Sequence, residues 1–344
     1  MNRHITATAP TRICDCGGWT DTWFAHHGGV FHIAIEPGAQ VDLQVGPGEA
    51  GRAPVTIHAE NFGETCDRWP GVRPWGRHPL LEAAIESVAF LRDLHLDVRV
   101  RSRMPPGAAV GTSASVCVAL VGAMMKLAGQ SVDRHAVATA AHRVETELLG
   151  QQSGVQDQLA AAYGGVNYIG IDAYPHARVY PIALPSGIQD QLQTRLMLVL
   201  LGRGHRSTAI HEQVIRDAAE TPSAQAALED LRRAALEARD AAGAGDLDTL
   251  GQAMRANTEA QRRLHPALVS GDAQCLIELA RRHKASGWKV DGAGGEGGSL
   301  TILCGPDPAD RVALEAAIDS DGHGYHVMPI RIAAEGLRVI ERDV

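Results

Sequence analysis

Apolar and polar positions change period several times along the chain. Residues 5–13 read as a strand, and Val30–Ile35 and Ala39–Val45 read as two more, joined through Pro37-Gly38. Val55–Ala59 is a further short strand, and residues 63–78, rich in Trp, Pro, Gly and Arg, read as a long loop. Leu81, Ile85, Val88 and Leu91 fall on one helical face, which predicts a helix over Leu80–Leu94. A strand follows over Leu96–Ser102. From Ser115 to Leu127 the chain is almost uniformly apolar, the pattern of a buried helix. Val132–Leu149 and Gly154–Ala162 are expected to be helical, the second stopped by Tyr163-Gly164-Gly165, with a strand over Val166–Ile171.

In the second half, Leu196–Leu201 reads as a buried strand and residues 209–285 as mostly helical. A glycine-rich stretch, 291–299, precedes a strand at Leu300–Cys304. Arg311–Ile318 is a predicted helix, and His326–Ile332 an edge strand that tolerates Pro329. Strands and helices mix without regular βαβ alternation, which points to an α+β fold. The 344 residues suggest two domains. The break at Leu184-Pro-Ser-Gly187 divides them into 1–187 and 188–344.

Composition narrows the function classes. The net charge of −8, without a basic stripe, argues against a nucleic-acid binder. The longest apolar stretch, Ala114–Met125, is too short to span a bilayer, so no membrane partner is expected. The N-terminal segment lacks a signal peptide's apolar core, which leads us to expect a cytoplasmic protein. The six cysteines include a Cys14-x-Cys16 with no second pair at zinc spacing, and they read as free thiols.

Three segments carry candidate chemistry. In the loop Pro106, Gly107, Ala108, Ala109, Val110, Gly111, the glycines allow close backbone approach to phosphate. The apolar helix behind it, entered through Thr112, Ser113, Ala114 and Ser115, would aim its positive end at the same place. The order G-x4-G-K-[ST] is not met, so this is not a P-loop. Gly292-Ala-Gly294-Gly295-Glu296-Gly297 meets G-x-G-x-x-G, but a strand follows it where a dinucleotide site needs a helix, so we read a glycine-rich hairpin. The third segment is a set of acids: Asp21 after a Gly-Gly turn, Glu145 on a helix, and Asp157 at a helix start.

The order and spacing of these segments resemble the GHMP kinases, a superfamily of small-molecule kinases. Ala9-Pro-Thr-Arg12-Ile with Gly17-Gly18-Trp19-Thr20-Asp21 is similar to its first motif. Pro105-Pro-Gly-Ala-Ala-Val-Gly-Thr-Ser113-Ala is similar to its second, and Asp291-Gly-Ala-Gly-Gly-Glu-Gly-Gly298 to its third. The first motif and Gln156-Asp157-Gln158 are most similar to the sugar-1-kinase branch of heptose 7-phosphate kinases and fucokinases. Two positions depart from the pattern: Ala109-Val110 stands for Gly-Leu, and Glu296 for Gly.

The resemblance implies a two-domain fold with an S5-like N-terminal half and a ferredoxin-like C-terminal half. It implies ATP and Mg2+ as cofactors and a sugar or sugar phosphate as acceptor, phosphorylated at the anomeric hydroxyl, in a monomer or homodimer. Asp157 would be the catalytic base with Arg12 beside it. Residues 106–109 and 111–115 would hold ATP, and Ser113 and Glu145 the metal, with Thr112 as a neighbouring hydroxyl. Asp21, with Trp19, Thr20, Gly18, Gly294 and Gly295, would face the substrate. Arg203, His205 and Arg206 would suit a substrate phosphate. The alternatives are a fucokinase, a glucuronokinase or another small-molecule kinase of this superfamily, and a non-catalytic sensor on the same fold. Sensors tend to lose the base or metal ligands, which this chain keeps.

Overall fold

The computed structural model describes residues 3–90, 93–202, 213–216 and 221–343. Strand β1 (Arg3–Cys16) lies between β13 (Arg338–Asp343) and β2 (Gly28–Pro47), antiparallel to both. The sheet continues from β2 through β5 (Leu94–Ser102) to β3 (Val55–Ala59) and β4 (Glu64–Arg68), with β3 and β5 parallel. β6 (Val166–Ala173) pairs with the first part of β2, and β7 (His176–Pro181) with β6.

Alternation along β1 and β2 sends Ile5, Val41 and Leu43 to one face, where they meet Leu120 and Met124 of α2 (Thr112–Leu127). The middle of α2, from Cys117 to Met124, is apolar on every side because its neighbours bury every side there. Leu120 is fully buried, and truncation to alanine would cost ~2–5 kcal/mol.

A second antiparallel sheet runs β11 (His326–Met328), β8 (Leu196–Leu200), β10 (Ser299–Leu303), β9 (Gly287–Val290). On one face α8 (Gly271–Arg282) and α9 (Pro308–Ser320) pack on Met197, Val199, Leu300 and Ile302. On the other, α5 (Ile188–Arg195), α6 (Pro222–Ala244) and α7 (Leu247–Leu264) join Leu196 and Leu198 to Ile13 and Phe31 of the first sheet. Helix α6 starts where Thr221 caps Ala224 and Pro222 takes the first turn; left-handed Gly245 ends it. No described helix is long and apolar enough to cross a membrane. The fold is α+β, as the mixed element order implies.

Several elements differ from the sequence reading. β2 is one strand of 20 residues: at Pro37-Gly38 its register on β1 slips between Ala9 and Thr11, so the strand bends without ending. The 63–78 segment contains β4 before its loop. Helix α1 (Pro79–Glu86) stops well short of Leu94, which is taken by β5 pairing with Pro47. Helix α3 (Arg134–Arg143) widens into a π turn over Val144–Leu148, closed by the Leu149 N–H on the Val144 carbonyl. The expected strand His326–Ile332 divides at Pro329: β11 joins the second sheet, and β12 (Arg331–Ile332) crosses to pair with β2 in the first. The glycine-rich hairpin is present as β9–β10, with Val290 opposite Leu300.

Candidate active site

The loop before α2 is built from left-handed residues. Gly107, Ala109 and Gly111 have φ of 81°, 59° and 72°. Gly111 occupies the N-cap of α2 and offers no side-chain acceptor, so the first N–H groups of that helix stay available to an anion. Ala109 accepts a strained conformation worth ~1–2 kcal/mol. Its methyl group is packed where the hairpin has only hydrogen: a Cβ on Gly292 or Gly298 would come within 3.3 or 3.2 Å of it. The Ala108 carbonyl accepts from Ser299 Oγ at 2.7 Å and the Ala109 carbonyl from Arg12 Nη1 at 2.6 Å. The loop is thus held from both halves of the molecule.

This loop lines a cavity of about 530 Å3, within the range of ligand pockets. Pro106 to Ser113 form one wall, and Phe62, His78, Leu80 and Met104 stand among the residues opposite. Thr112 Oγ1 is buried without a partner, whereas Ser113 is exposed. Ala114 and Ser115 are buried behind the wall, and Ser115 Oγ donates to the Pro10 carbonyl, which turns it away from any phosphate.

Asp157, in the first turn of α4 (Gln156–Tyr163), accepts from Arg12 Nε at 2.8 Å. Arg12 comes from β1 and is 3% exposed. Burial pulls the guanidinium pKa down, but Asp157, Asp15 and Asp291 together outweigh burial and raise it. One arginine therefore ties the acid to the phosphate-type loop through Ala109.

A second, smaller cavity of about 150 Å3 lies on the other side of this pair. Trp19, Asp21, Trp23, Phe24, Ser153 and Gln156 are on its wall. Arg12, Asp157, Gly292 and Ala293 line both cavities. Asp21 Oδ2 accepts the Gln156 N–H at 3.0 Å, and the packing is close enough that a Cβ on Gly154 would sit 2.1 Å from that oxygen. Burial, with the like charge of Asp157, pushes the Asp21 carboxyl up to about 6, against the relief from the Gln156 amide. Gly18 and Thr20 build the turn rather than the wall. Thr20 Oγ1 donates to the Gly17 carbonyl at 2.7 Å, and Gly18 N–H donates to the Asp15 carbonyl at 3.1 Å.

Glu145 sits on the π turn, nearly fully buried. One oxygen accepts from Ser153 Oγ at 2.7 Å and the other, Oε1, has no partner. Burial pushes this carboxyl up to about 7, eased by Ser153 and worsened by Asp157. Thr112 and Ser113 line the larger cavity, whereas Glu145 lines neither cavity; a carboxylate and hydroxyls are the oxygen donors that a hard divalent cation takes. If Glu145 holds such an ion, Glu145→Gln raises the magnesium concentration for half-maximal activity by at least ~10-fold, with acceptor KM little changed. A magnesium titration showing equal midpoints would refute this.

The hairpin reaches the cavities through the two residues after Asp291, the expected Gly292 and its neighbour Ala293, and not through Gly294 and Gly295. Gly294 and Gly295 pack on the chain at Leu268: the Gly295 N–H donates to the Leu268 carbonyl at 3.1 Å, and a Cβ on Gly294 would lie 2.2 Å from it. Glu296 is exposed. Arg203, His205 and Arg206 lie outside the described residues.

Residues 80–165, from α1 to the turn after α4, match the family description GHMP kinases N terminal domain. The chain has a GHMP kinase fold. It superposes on a D-glycero-D-manno-heptose 1-phosphate kinase from Bacteriodes thetaiotaomicron with a TM-score of 0.74 over 98% of both chains, at 19% identity. Among curated relatives, it is 23% identical to the D-glycero-alpha-D-manno-heptose 7-phosphate kinase of Campylobacter jejuni, over 72% of this chain and 71% of that one. It is 29% identical to the mevalonate kinase of Methanothermobacter thermautotrophicus, over 61% of this chain and 64% of that one. Kinases of a sugar phosphate and of a non-sugar alcohol thus both resemble this GHMP fold.

Sequence reading passed over part of the site. Trp23 and Phe24 follow Asp21 after only Thr22, and aromatics beside a polar turn were a usable signal. Phe62, His78 and Met104 come from separate segments with no shared motif. Asp15 stands between Cys14 and Cys16 and Lys289 between Trp288 and Val290, a signal of buried pairing that spacing rules do not register.

Proposed function

We propose that this protein is an ATP-dependent kinase that transfers the γ-phosphoryl group to a hydroxyl of a sugar or sugar phosphate, at the anomeric carbon. The observation that carries the reading is the Arg12–Asp157 pair on the wall shared by two cavities. One cavity has an uncapped helix N-terminus and a left-handed glycine loop, suited to phosphates. The other has a carboxylate and aromatic rings, suited to a polyol with an apolar face.

In this reading Asp157 accepts the proton of the attacking hydroxyl, and Arg12 fixes its orientation. The α2 amides and the 106–113 loop position the phosphates, the main task in phosphoryl transfer. Glu145 with Ser113 or Thr112 would hold Mg2+, which supplies charge neutralisation on the phosphates. Asp21 accepts hydrogen bonds from ring hydroxyls and orients the anomeric one toward Asp157. That hydroxyl is more acidic than the others, so a carboxylate base has less to do. A cytoplasmic enzyme, monomeric or homodimeric, fits this chemistry.

The test is ATP consumption over free hexoses, fucose, heptoses, 7-phosphorylated heptoses, uronic acids and mevalonate, followed by phosphorus–proton NMR of the product. Phosphorus coupled to an anomeric proton is the expected result. Phosphate on another carbon, or mevalonate as the sole acceptor, eliminates the anomeric reading. Binding of ATP and sugar without turnover on any acceptor would make the protein a sensor.

A further inference from the structure

Behind the two cavities lies a charged cluster that the chemistry above leaves unused. Asp15 of β1 and Lys289 of β9 are both fully buried, with Lys289 Nζ 3.1 Å from Asp15 Oδ1. Both Asp15 oxygens also accept the Gly292 N–H, at 3.2 and 3.1 Å. Lys289 donates in addition to the Val290 carbonyl. Asp291 is satisfied separately, by Thr301 Oγ1 at 2.8 Å, Ser299 Oγ at 2.9 Å and the Cys14 N–H at 3.1 Å.

Arg12 is the other cation here, and of the three acids that act on it, Asp157 and Asp15 come within ion-pair distance. Its Nε is 2.8 Å from Asp157, while its Nη2 stands 3.9 Å from Asp15 Oδ2. The longer separation is what Lys289 and Gly292 allow, because they already engage both Asp15 oxygens. In a water-excluded interior an uncompensated carboxylate draws the nearest cation strongly.

We propose that Lys289 is a positioning residue for phosphoryl transfer: by occupying Asp15 it keeps Arg12 on Asp157 and on the Ala109 carbonyl. The inference rests on the kinase reading for its consequence, but the arrangement it describes can be read without turnover. Through the Gly292 N–H the same pair also fixes the start of the hairpin against Ala109. Without Lys289, Arg12 shifts toward Asp15 by about an ångström, a displacement that in a reacting site costs ~10²-fold in rate.

The experiment compares Lys289→Met with Lys289→Met/Asp15→Asn. The single variant is expected to lose about 10²-fold in kcat with ATP KM within about threefold. The double variant, which removes the competing acid together with its counter-ion, is expected to regain at least tenfold of that loss. A purely structural role predicts the opposite, since the double variant carries two buried substitutions. Melting temperatures confirm that both are folded; if Lys289→Met is not, Lys289→Gln replaces it under the same criteria. Nitrogen-15 NMR of the Arg12 Nε–H supplies the readout independent of turnover. Its signal should shift in the single variant and return in the double. Wild-type kcat in the single variant, or a double variant no faster and with the Nε–H signal still displaced, overturns the proposal. A wild-type protein inactive on every acceptor overturns the kinase reading alone, and the NMR comparison still decides this one.

Discussion

Asp157→Asn is expected to lower kcat by about 10²- to 10⁴-fold, the usual scale for a general base, while ATP KM stays within about threefold. Asparagine preserves the shape and still accepts a hydrogen bond from Arg12 Nε, which now ends 2.8 Å from Asp157 Oδ1. What is lost is the capacity to take a proton. The residue sits where the two cavities meet, beside Gly111 of the phosphate-type loop; a Cβ on that glycine would approach the Asp157 carboxyl carbon to 3.2 Å. A fall in kcat without a rise in ATP KM separates a proton acceptor from a residue that only shapes the cavity proposed for the nucleotide. Turnover near the wild-type value would remove Asp157 from the base role.

The elements most legible in the sequence were those whose local pattern agrees with their burial. Helix α2 is apolar and buried along its length from Cys117 to Met124, and its limit at Leu127 follows directly. The glycine-rich stretch before β10 read as a hairpin because a strand followed it. What escaped is set by distant partners. β7 and β13 are partly polar edge strands whose existence depends on β6 and β1 being next to them. The 326–332 segment looked continuous, yet its two ends pair with different sheets, and no local period encodes that.

The site shows the same division. Arg12, Asp21, Asp157 and the 106–113 loop were visible because each sits in a short, ordered motif. The distinction between wall and support was not. Ser115 resembles a phosphate ligand in sequence but donates to Pro10; Gly294 and Gly295 resemble closing glycines but rest on Leu268. Ala109, a departure from the motif, finds its explanation across the interface, where Gly292 and Gly298 leave space for its methyl. Spacing identifies which segments meet, whereas hydrogen-bond direction decides which atom faces the ligand.

Arg12 allows the sharpest separation of charge from geometry. Arg12→Met leaves Asp157 and Asp15 without a shared cation, in a place where the arginine itself was 3% exposed. Asp157 is 28% exposed and Asp15 keeps Lys289, so the loss is that of an unsatisfied partner, ~1–3 kcal/mol, and the variant should melt lower and lose at least ~10³-fold in kcat. Arg12→Lys keeps the charge but replaces a planar fork with a single point. The wild-type fork donates through Nε to Asp157 and through Nη1 to the Ala109 carbonyl at 2.6 Å, and one ammonium on a flexible stem cannot hold both in the same geometry. Arg12→Lys should therefore melt close to wild type and yet lose about 10- to 10²-fold in kcat, with ATP KM rising because the 106–113 loop has lost its tether. Thermal melting and steady-state kinetics on the two variants decide the matter. If lysine supports full turnover, Arg12 serves only as a counter-ion, and the bridge between the phosphate loop and the base has no part in catalysis. If methionine melts like the wild type, the Arg12–Asp157 ion pair carries no stability, and the electrostatic account of the site fails with it.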